Sequence, residues 1–217
     1  MENIELNKDE VLRYLGYKNQ HLDENINKLV EECILEIKNI SEVKYIYKNF
    51  QITSREHEIS LEGGVIALQG KKIAAHLKNS NECVLMAVTL GNSVDTKIRY
   101  YEKVDMTKAL ILDACATAYV EEVCERVCSL IGKQEFSTYR FSPGYGDLPL
   151  DIQKSFLRVL DTEKKIGLTV SSNHILLPRK SVTAIVGILK ESCSMKAGGC
   201  DLCDKNNNCI YKREGEK

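Results

Sequence analysis

Residues suited to holding a small ligand are concentrated in one short stretch, residues 139–150, which contains two of the three prolines of the chain. Pro143 fixes its own φ and Gly144 permits positive φ, so the stretch is expected to form a rigid, irregular loop. Arg140 carries a planar fork of donors that suits a carboxylate, and Tyr145 offers a flat ring and one hydroxyl. The stretch predicts either a binding loop for a zwitterionic or aromatic ligand or a structural loop with a surface arginine.

A second group with chemical potential is a set of four cysteines near the carboxyl end of the chain. Cys193, Cys200, Cys203 and Cys209 form a C-x6-C-x2-C-x5-C array among glycines and asparagines that allow tight turns. Four converging thiolates suit tetrahedral zinc or an iron-sulfur cluster, and the spacing does not decide between them. The alternative is a tail with free or redox-paired thiols. We predict a Cys-rich tail with a metal site over residues 191–217.

Two polar residues stand in an otherwise apolar half of the longest predicted helix, which starts at Asp105 or Thr107 and ends at Gly132. Because its first half is almost wholly apolar, we expect that half to enter the core without a solvent face. Asp113 and Thr117 are four residues apart and therefore lie on one face. If buried, each must be hydrogen-bonded, either to a ligand or within the protein.

The elements that must position these residues follow from hydrophobic periodicity and cap residues. Helices are predicted after Asn7 and after Asp23, at residues 71–77, from Asn92 or Ser93, and at residues 150–160. Strands are predicted at residues 43–52, 58–61, 82–90, 169–170, 175–177 and 181–190. Helices and strands are segregated rather than strictly alternating, so the fold class is α+β with an antiparallel or mixed sheet.

The bulk properties allow one sizeable core or two small ones, and one domain plus a tail is the simpler prediction. The chain has 217 residues, 43% of them hydrophobic, and a net charge of −1, which disfavours nucleic acid or an anionic membrane as the main partner. The polar start does not read as a signal peptide, no apolar run is long enough for a membrane span, and we expect a cytoplasmic location. Five further cysteines lie on apolar faces and are expected to be small core residues. They are Cys33, Cys83, Cys115, Cys124 and Cys128.

The pattern Arg-x-x-Pro-Gly-Tyr-x-x-x-Pro, which starts at Arg140, resembles the signature of the activation domain of cobalamin-dependent methionine synthase. In that family this stretch binds S-adenosylmethionine, largely through the arginine and the backbone of the Pro-Gly-Tyr turn. Gly167 to Val170 and Leu177 to Val182 are similar to two further family segments, and Glu125-Arg126-Val127 also has a counterpart. The resemblance covers roughly residues 105 to 190.

The resemblance implies a bent antiparallel sheet with flanking helices over residues 1–190, and S-adenosylmethionine as cofactor. Its binding residues would be Arg140, Pro143, Gly144 and Tyr145. The family's acidic residue on the long helix corresponds to Thr117, so Asp113, one turn earlier, is the expected substitute. A ligand-facing Arg140 is expected to matter for binding and little for stability.

The resemblance further implies an activation subunit that presents S-adenosylmethionine for reductive remethylation of cob(II)alamin during methionine biosynthesis. This sequence has no Asp-x-His-x-x-Gly cobalamin motif, so the corrinoid would be carried by a partner, a methionine synthase core or another corrinoid protein. One electron would come from a donor, and methyltransferase activity would arise only in the complex. The alternative is a non-catalytic module that binds corrinoid proteins or transfers electrons through its Cys-rich metal site.

Overall fold

The structure, a computed structural model, describes residues 4–18, 20–132 and 137–189. Its helices are α1 Lys8–Tyr14, α2 Glu24–Ile40, α3 Lys71–His76, α4 Asn92–Val104, α5 Met106–Ile131, α6 Gln153–Leu160 and α7 Thr162–Ile166. Its strands are β1 Lys44–Arg55, β2 Glu58–Leu61, β3 Ala67–Gln69, β4 Ser80–Thr89, β5 Thr169–Val170, β6 Leu176–Leu177 and β7 Ser181–Leu189. Short 3-10 turns occupy Glu62–Gly64 and Leu150–Ile152.

Five strands form one antiparallel sheet in the order β3-β2-β1-β4-β7, and β5 and β6 form a separate hairpin. The long strand β1 changes partner along its length. Its residues 44–51 pair with β4, whereas residues 52–55 pair with β2 on the other side. This exchange lets the sheet curl, because the two halves of β1 belong to differently oriented parts of one surface.

Both faces of the sheet are covered, as the alternating side chains of its central strand β4 show. Val84, Met86 and Val88 belong to a core with α1, α2, α4 and α5, and the intervening residues 83, 85 and 87 belong to a second core with α3, α6 and α7. A strand buried on both sides reads as a continuous apolar run. The prediction of a buried strand in this region is confirmed.

The free edge of β7 is covered by residues 137–141, which we call the edge segment. Thr138 N donates to Gly187 O at 2.9 Å, and Phe141 exchanges backbone hydrogen bonds of 2.9 and 2.8 Å with Ile185. The hydroxyl of Thr138 also accepts a hydrogen bond of 2.8 Å from Gly187 N. The turn at Pro143 and Gly144 is called the Pro-Gly loop below. The backbone just before it is hydrogen-bonded to the sheet and is not a free surface loop.

Most predicted elements are present within two or three residues of their expected bounds, and Asn7 and Asp23 cap α1 and α2 as predicted.

The prediction that the first half of α5 lacks a solvent face is wrong, because Met106 and Leu110 are 57% and 60% exposed. The core role of the five upstream cysteines is confirmed, with Cys128 only half-buried. No helix in the described part of the chain is long and apolar enough to cross a membrane.

Candidate ligand-binding site

One face of α5 carries polar side chains at intervals of four residues, which we call the polar stripe. They are Asp113, Thr117, Glu121 and Glu125. Residues four apart on a helix lie one above the other, and each such step rises about 6 Å. Two cations meet the stripe, one at each end: Lys180, immediately before β7, and Arg140, on the edge segment.

At one end of the stripe, Lys180 makes three close contacts, which together define the Lys180 cluster. Its Nζ lies 2.9 Å from Asp113 Oδ1 and donates to the Asp113 carbonyl at 3.1 Å and to Thr117 Oγ1 at 2.8 Å. The Thr117 hydroxyl in turn donates to the Asp113 carbonyl at 2.9 Å. An ammonium group has three donors. The cluster therefore matches the three donors of Lys180 with three acceptors.

At the other end, Arg140 bridges two carboxylates, and these three residues define the Arg140 cluster. Its Nη2 lies 2.9 Å from Glu121 Oε2 and 2.7 Å from Glu125 Oε1. The Arg140 side chain is 19% exposed, whereas the two glutamates are 39% and 66% exposed. A guanidinium has five N–H donors, and only the two on Nη2 are needed for these ion pairs. The donors on Nε and Nη1 lie outside these ion pairs, and the Arg140 side chain also hydrogen-bonds Cys124.

The direction of the Arg140 side chain follows from strand alternation along the edge segment. Phe141 is paired with Ile185 of β7, and both side chains pack in the second core. Successive residues of an extended chain point to opposite faces. Arg140 consequently points to the opposite face of the sheet, the one covered by α5, where Glu121 and Glu125 lie.

The surroundings of Arg140 keep it charged and keep its cysteine neighbours neutral. Burial lowers the pKa of Arg140, but Cys124 and the carboxylates of Glu121 and Glu125 more than offset this, so its pKa lies above the ordinary value. Burial raises the pKa of Cys124, and it raises the pKa of Cys128 to about 11. Because only a thiolate is nucleophilic, these two cysteines are inert at neutral pH. Arg140 therefore stays charged, and the two neighbouring thiols offer no nucleophile.

The Pro-Gly loop that follows Arg140 is a compact turn. Gly144 has φ 84° and donates to Leu148 O at 2.9 Å, and Tyr145 N donates to Ser142 O at 3.0 Å. Pro143 is buried, whereas Tyr145 is 53% exposed with its ring 6.0 Å from that of Phe141. The turn thus presents an aromatic face to solvent while its backbone N–H groups at residues 144 and 145 are used internally.

Beside the Lys180 cluster lies a cavity of about 140 Å³ between α4, α5 and the segment that leads into β7. Asp95, Arg99, Asp113, Arg179 and Lys180 contribute its charged lining. Asp95, which is 9% exposed, accepts a hydrogen bond of 2.7 Å from Arg179 N. This bond fixes the backbone next to Lys180, so the cavity wall and the Lys180 cluster form one unit.

The structure brings the predicted site residues together in two groups rather than one. Asp113 and Thr117 share a face of α5, but both are bound by Lys180, so internal satisfaction accounts for their polar groups. Arg140 is partly buried and bridges two glutamates, which changes the expectation that it contributes little to stability. The predicted metal ligands Cys193, Cys200, Cys203 and Cys209 lie outside the described residues. Within those residues, no three His, Cys, Asp or Glu side chains form a metal site.

Sequence reasoning missed Lys180 and Glu121 as members of the site. The four-residue spacing of the polar stripe was a readable signal for Glu121, because it continues the series from Asp113 and Thr117. Lys180 had no such signal, since its contact with α5 is made across 67 residues of sequence. Its position depends on how β7 enters the sheet.

A comparison with solved structures relates this fold to a known domain. The chain is similar to the MetH reactivation domain bound to AdoHcy, with a TM-score of 0.61 and 13% sequence identity, over 86% of this chain and 77% of that chain. No protein-family model matches the sequence, and no curated protein matches it. The structural likeness confirms the predicted fold class and, for the fold, the resemblance to the methionine synthase activation domain.

Proposed function

We propose that this protein binds S-adenosylmethionine and presents it to a cobalamin-dependent methionine synthase core for reductive remethylation of cob(II)alamin. The observation that supports the proposal most is the position of Arg140. It is a partly buried guanidinium next to a Pro-Gly-Tyr turn, in the fold of a domain solved with AdoHcy. AdoHcy is what remains of S-adenosylmethionine after its methyl group has left.

Arg140 is the proposed anchor for the methionyl carboxylate of the ligand. Its Nη2 is held by Glu121 and Glu125, so the guanidinium plane is fixed before a ligand arrives. The donors on Nε and Nη1 would then supply a bidentate contact, the geometry in which arginine binds carboxylates best, in exchange for the hydrogen bond to Cys124. Preorganisation of this kind lowers the entropy cost of binding.

The turn that follows would hold the rest of the ligand. Because Gly144 N and Tyr145 N bond within the turn, we propose that it contributes carbonyl oxygens and the exposed ring of Tyr145 rather than these N–H groups. Pro143 is buried and fixes the turn against the second core. Asp113 and Thr117 would lie at the far end of the polar stripe along α5.

The proposed reaction asks this chain for binding and orientation and for no proton transfer. Cob(II)alamin on the partner takes one electron from a donor, and the reduced cobalt then accepts the methyl group as the S–CH3 bond breaks, a Co–CH3 bond forms and AdoHcy leaves. The protein must place the sulfonium methyl over the cobalt with the correct alignment. Positioning alone accounts for much of the rate of such transfers.

Reconstitution tests the proposal. A methionine synthase core that lacks activation activity is inactivated in the cob(II)alamin form and incubated with reductant, S-adenosylmethionine and the native chain. We expect methylcobalamin to form with the native chain, to fall at least about tenfold with Arg140→Ala, and to be unaffected by Arg158→Ala, a change on the exposed side of α6. No methylcobalamin with the native chain would contradict the proposal.

The cysteine spacing supports a second candidate function, in which the protein is a non-catalytic corrinoid-protein or electron-transfer module. The four tail cysteines lie within 17 residues and include a Cys-x-x-Cys pair that can bind one ion. Metal analysis of anaerobically purified protein distinguishes the possibilities. A coloured sample bleached by dithionite favours an electron-transfer cluster, a colourless zinc protein favours a structural site, and a metal-free protein rejects the array as a metal centre.

A further inference from the structure

We infer that Asp147 is a positioning residue, whose carboxylate holds the Pro-Gly loop on helix α3 and keeps the ligand contacts proposed for that loop in place. The inference rests on the proposed function and adds a residue to it. Asp147 acts through the turn that carries Gly144 and Tyr145, and not by contact with the ligand.

The first support is the pair of hydrogen bonds between Asp147 and the start of α3. Its carboxylate accepts a bond of 2.6 Å from Lys71 N and one of 3.1 Å from Lys72 N. Such bonds satisfy N–H groups that have no partner within the helix. Gly70, which precedes α3, has no side chain that could cap it, so the cap comes from 76 residues further along the chain. A cap from that distance joins two parts of the fold.

The second support is the close approach of the two backbones. An added Cβ at Gly70, which has φ 147°, would lie 2.5 Å from Asp147 Oδ1 and 3.2 Å from Asp147 O. An added Cβ at Gly146, which has φ 55°, would lie 2.6 Å from Lys72 Cδ. Glycine is the residue that permits such an approach. Each partner therefore has a glycine where the other comes nearest.

The third support is a contact at the other end of α3. His76 Nε2 lies 2.8 Å from Thr138 Oγ1, and the His76 ring centroid lies 4.4 Å from that of Tyr139. Arg140 and the Pro-Gly loop lie between this contact and Asp147 in the sequence. The stretch that carries the proposed ligand contacts is therefore attached to α3 at both of its ends. Loss of the Asp147 carboxylate would release the loop end and leave the edge segment, with Arg140, on β7.

Calorimetric titration of the full chain and of Asp147→Ala with AdoHcy tests the inference. The variant keeps Leu148, which is buried in the second core, so it should fold. Because the released loop would be in the binding position for only part of the time, we expect the affinity to fall about three- to tenfold. Asp147→Asn should recover most of this loss, since asparagine caps helices about as well as aspartate.

Asp23→Ala is the matched control, because Asp23 also accepts two backbone hydrogen bonds at the start of a helix. They come from Asn25 N and Ile26 N of α2, at 2.9 and 3.3 Å. Both alanine variants should lower the midpoint of urea unfolding, but only Asp147→Ala should lower the affinity for AdoHcy. A cap with a purely structural role would change the midpoint alone.

Lys71→Pro approaches the same contact from the side of the helix. It removes the N–H group that makes the 2.6 Å bond, and proline is favoured as the first residue of a helix, so α3 should be retained. We expect the affinity for AdoHcy to fall at least about threefold. Native affinity in folded Asp147→Ala or in folded Lys71→Pro would overturn the inference and leave the proposed function standing. If the native chain does not bind AdoHcy, the proposed function fails, and the inference fails with it.

Discussion

The Lys180 cluster and the Arg140 cluster lie on one face of the same helix, yet they treat their cation differently. Lys180 has three donors and three internal acceptors, and it closes its end of the polar stripe. Arg140 has five donors, and its two ion pairs need only the two on Nη2. Under the proposed function, the ion pairs would orient this fork and its other donors would bind the ligand.

The carboxylates of the two clusters also differ in how far they are exposed to water. Asp113, the partner of Lys180, is 42% exposed, and Glu121 and Glu125 beside Arg140 are 39% and 66% exposed, so Glu125 is the best solvated of the three carboxylates. Exposed ion pairs are worth little, because water screens them and the side chains lose freedom. Under the proposed function, a ligand carboxylate would therefore compete with Glu125 for Arg140 at small cost.

The largest expected effect comes from the removal of the Arg140 fork. Arg140→Ala should lower the affinity for AdoHcy about ten- to hundredfold, because a charge-assisted bidentate contact contributes roughly 1.5 to 3 kcal/mol. Arg140→Lys should recover only part of this loss, since a point charge cannot reproduce the fork. Calorimetry measures both, with Arg158→Ala as the control. Equal affinities of native and Arg140→Ala protein would show that Arg140, like Lys180, bonds only within the protein and does not contact the ligand.

Arg140→Ala should also reduce stability, which the sequence alone did not suggest. The side chain is 19% exposed and bridges two carboxylates, so its loss is expected to cost about 1 kcal/mol of unfolding free energy. Urea unfolding separates this loss from the loss of affinity.

The next largest effect concerns the turn that places a ligand against Arg140. Gly144 has φ 84°, and an added Cβ would lie 3.2 Å from Leu150 Cδ1. Gly144→Val should therefore cost about 1 to 3 kcal/mol of unfolding free energy and weaken AdoHcy binding in addition. Gly16→Val, at φ 83° with open space around it, is a control for backbone strain away from the site. Unchanged ligand affinity in folded Gly144→Val would separate the turn from the Arg140 cluster.

The sequence predicted the elements better than their contacts. Periodicity placed α5 and the buried strand β4 because each pattern is local, and the four-residue spacing placed Asp113 and Thr117 on one face. The sequence could not predict the contact between Lys180 and Asp113, because that contact depends on how β7 enters the sheet. Nor could it predict that Arg140 lies on an extended segment paired with β7, since the bridge partners are more than 40 residues apart. Long-range contacts are set by the whole fold.

Acid should reduce the stability of the protein through a buried histidine that contacts the edge segment, which carries Arg140. His76 is 4% exposed, its Nε2 lies 2.8 Å from Thr138 Oγ1, and its ring centroid lies 4.4 Å from that of Tyr139 on the edge segment. Burial lowers its pKa from 6.5 to about 4. Between these values the unfolded chain binds a proton that the folded chain does not, so stability falls as the pH falls, by up to about 1.4 kcal/mol per pH unit.

Urea unfolding of native protein and His76→Gln between pH 6.5 and 4.5 measures this contribution. The variant lacks the titrating imidazole, so the difference in pH slope between the two proteins isolates His76 from the carboxylates that titrate in the same range. Parallel slopes would mean that His76 has the same pKa in the folded and unfolded chain and does not couple the edge segment to pH.

The smallest effect tests whether the glutamates compete with a ligand for Arg140. Glu121→Gln with Glu125→Gln keeps the shape of both side chains but removes their charges, so the guanidinium loses two attractive partners and gains attraction for an incoming carboxylate. Because Glu125 is exposed and Glu121 is half-buried, the gain in AdoHcy affinity should be only about two- to fivefold, and it should shrink further at high salt. Glu163→Gln with Glu102→Gln, which removes two exposed charges on α7 and α4, controls for the change in net charge.

A loss of affinity in the first double variant would show instead that the glutamates orient Arg140 more than they compete for it. The Arg140 cluster would then be a preorganised anchor whose internal ion pairs are required for binding.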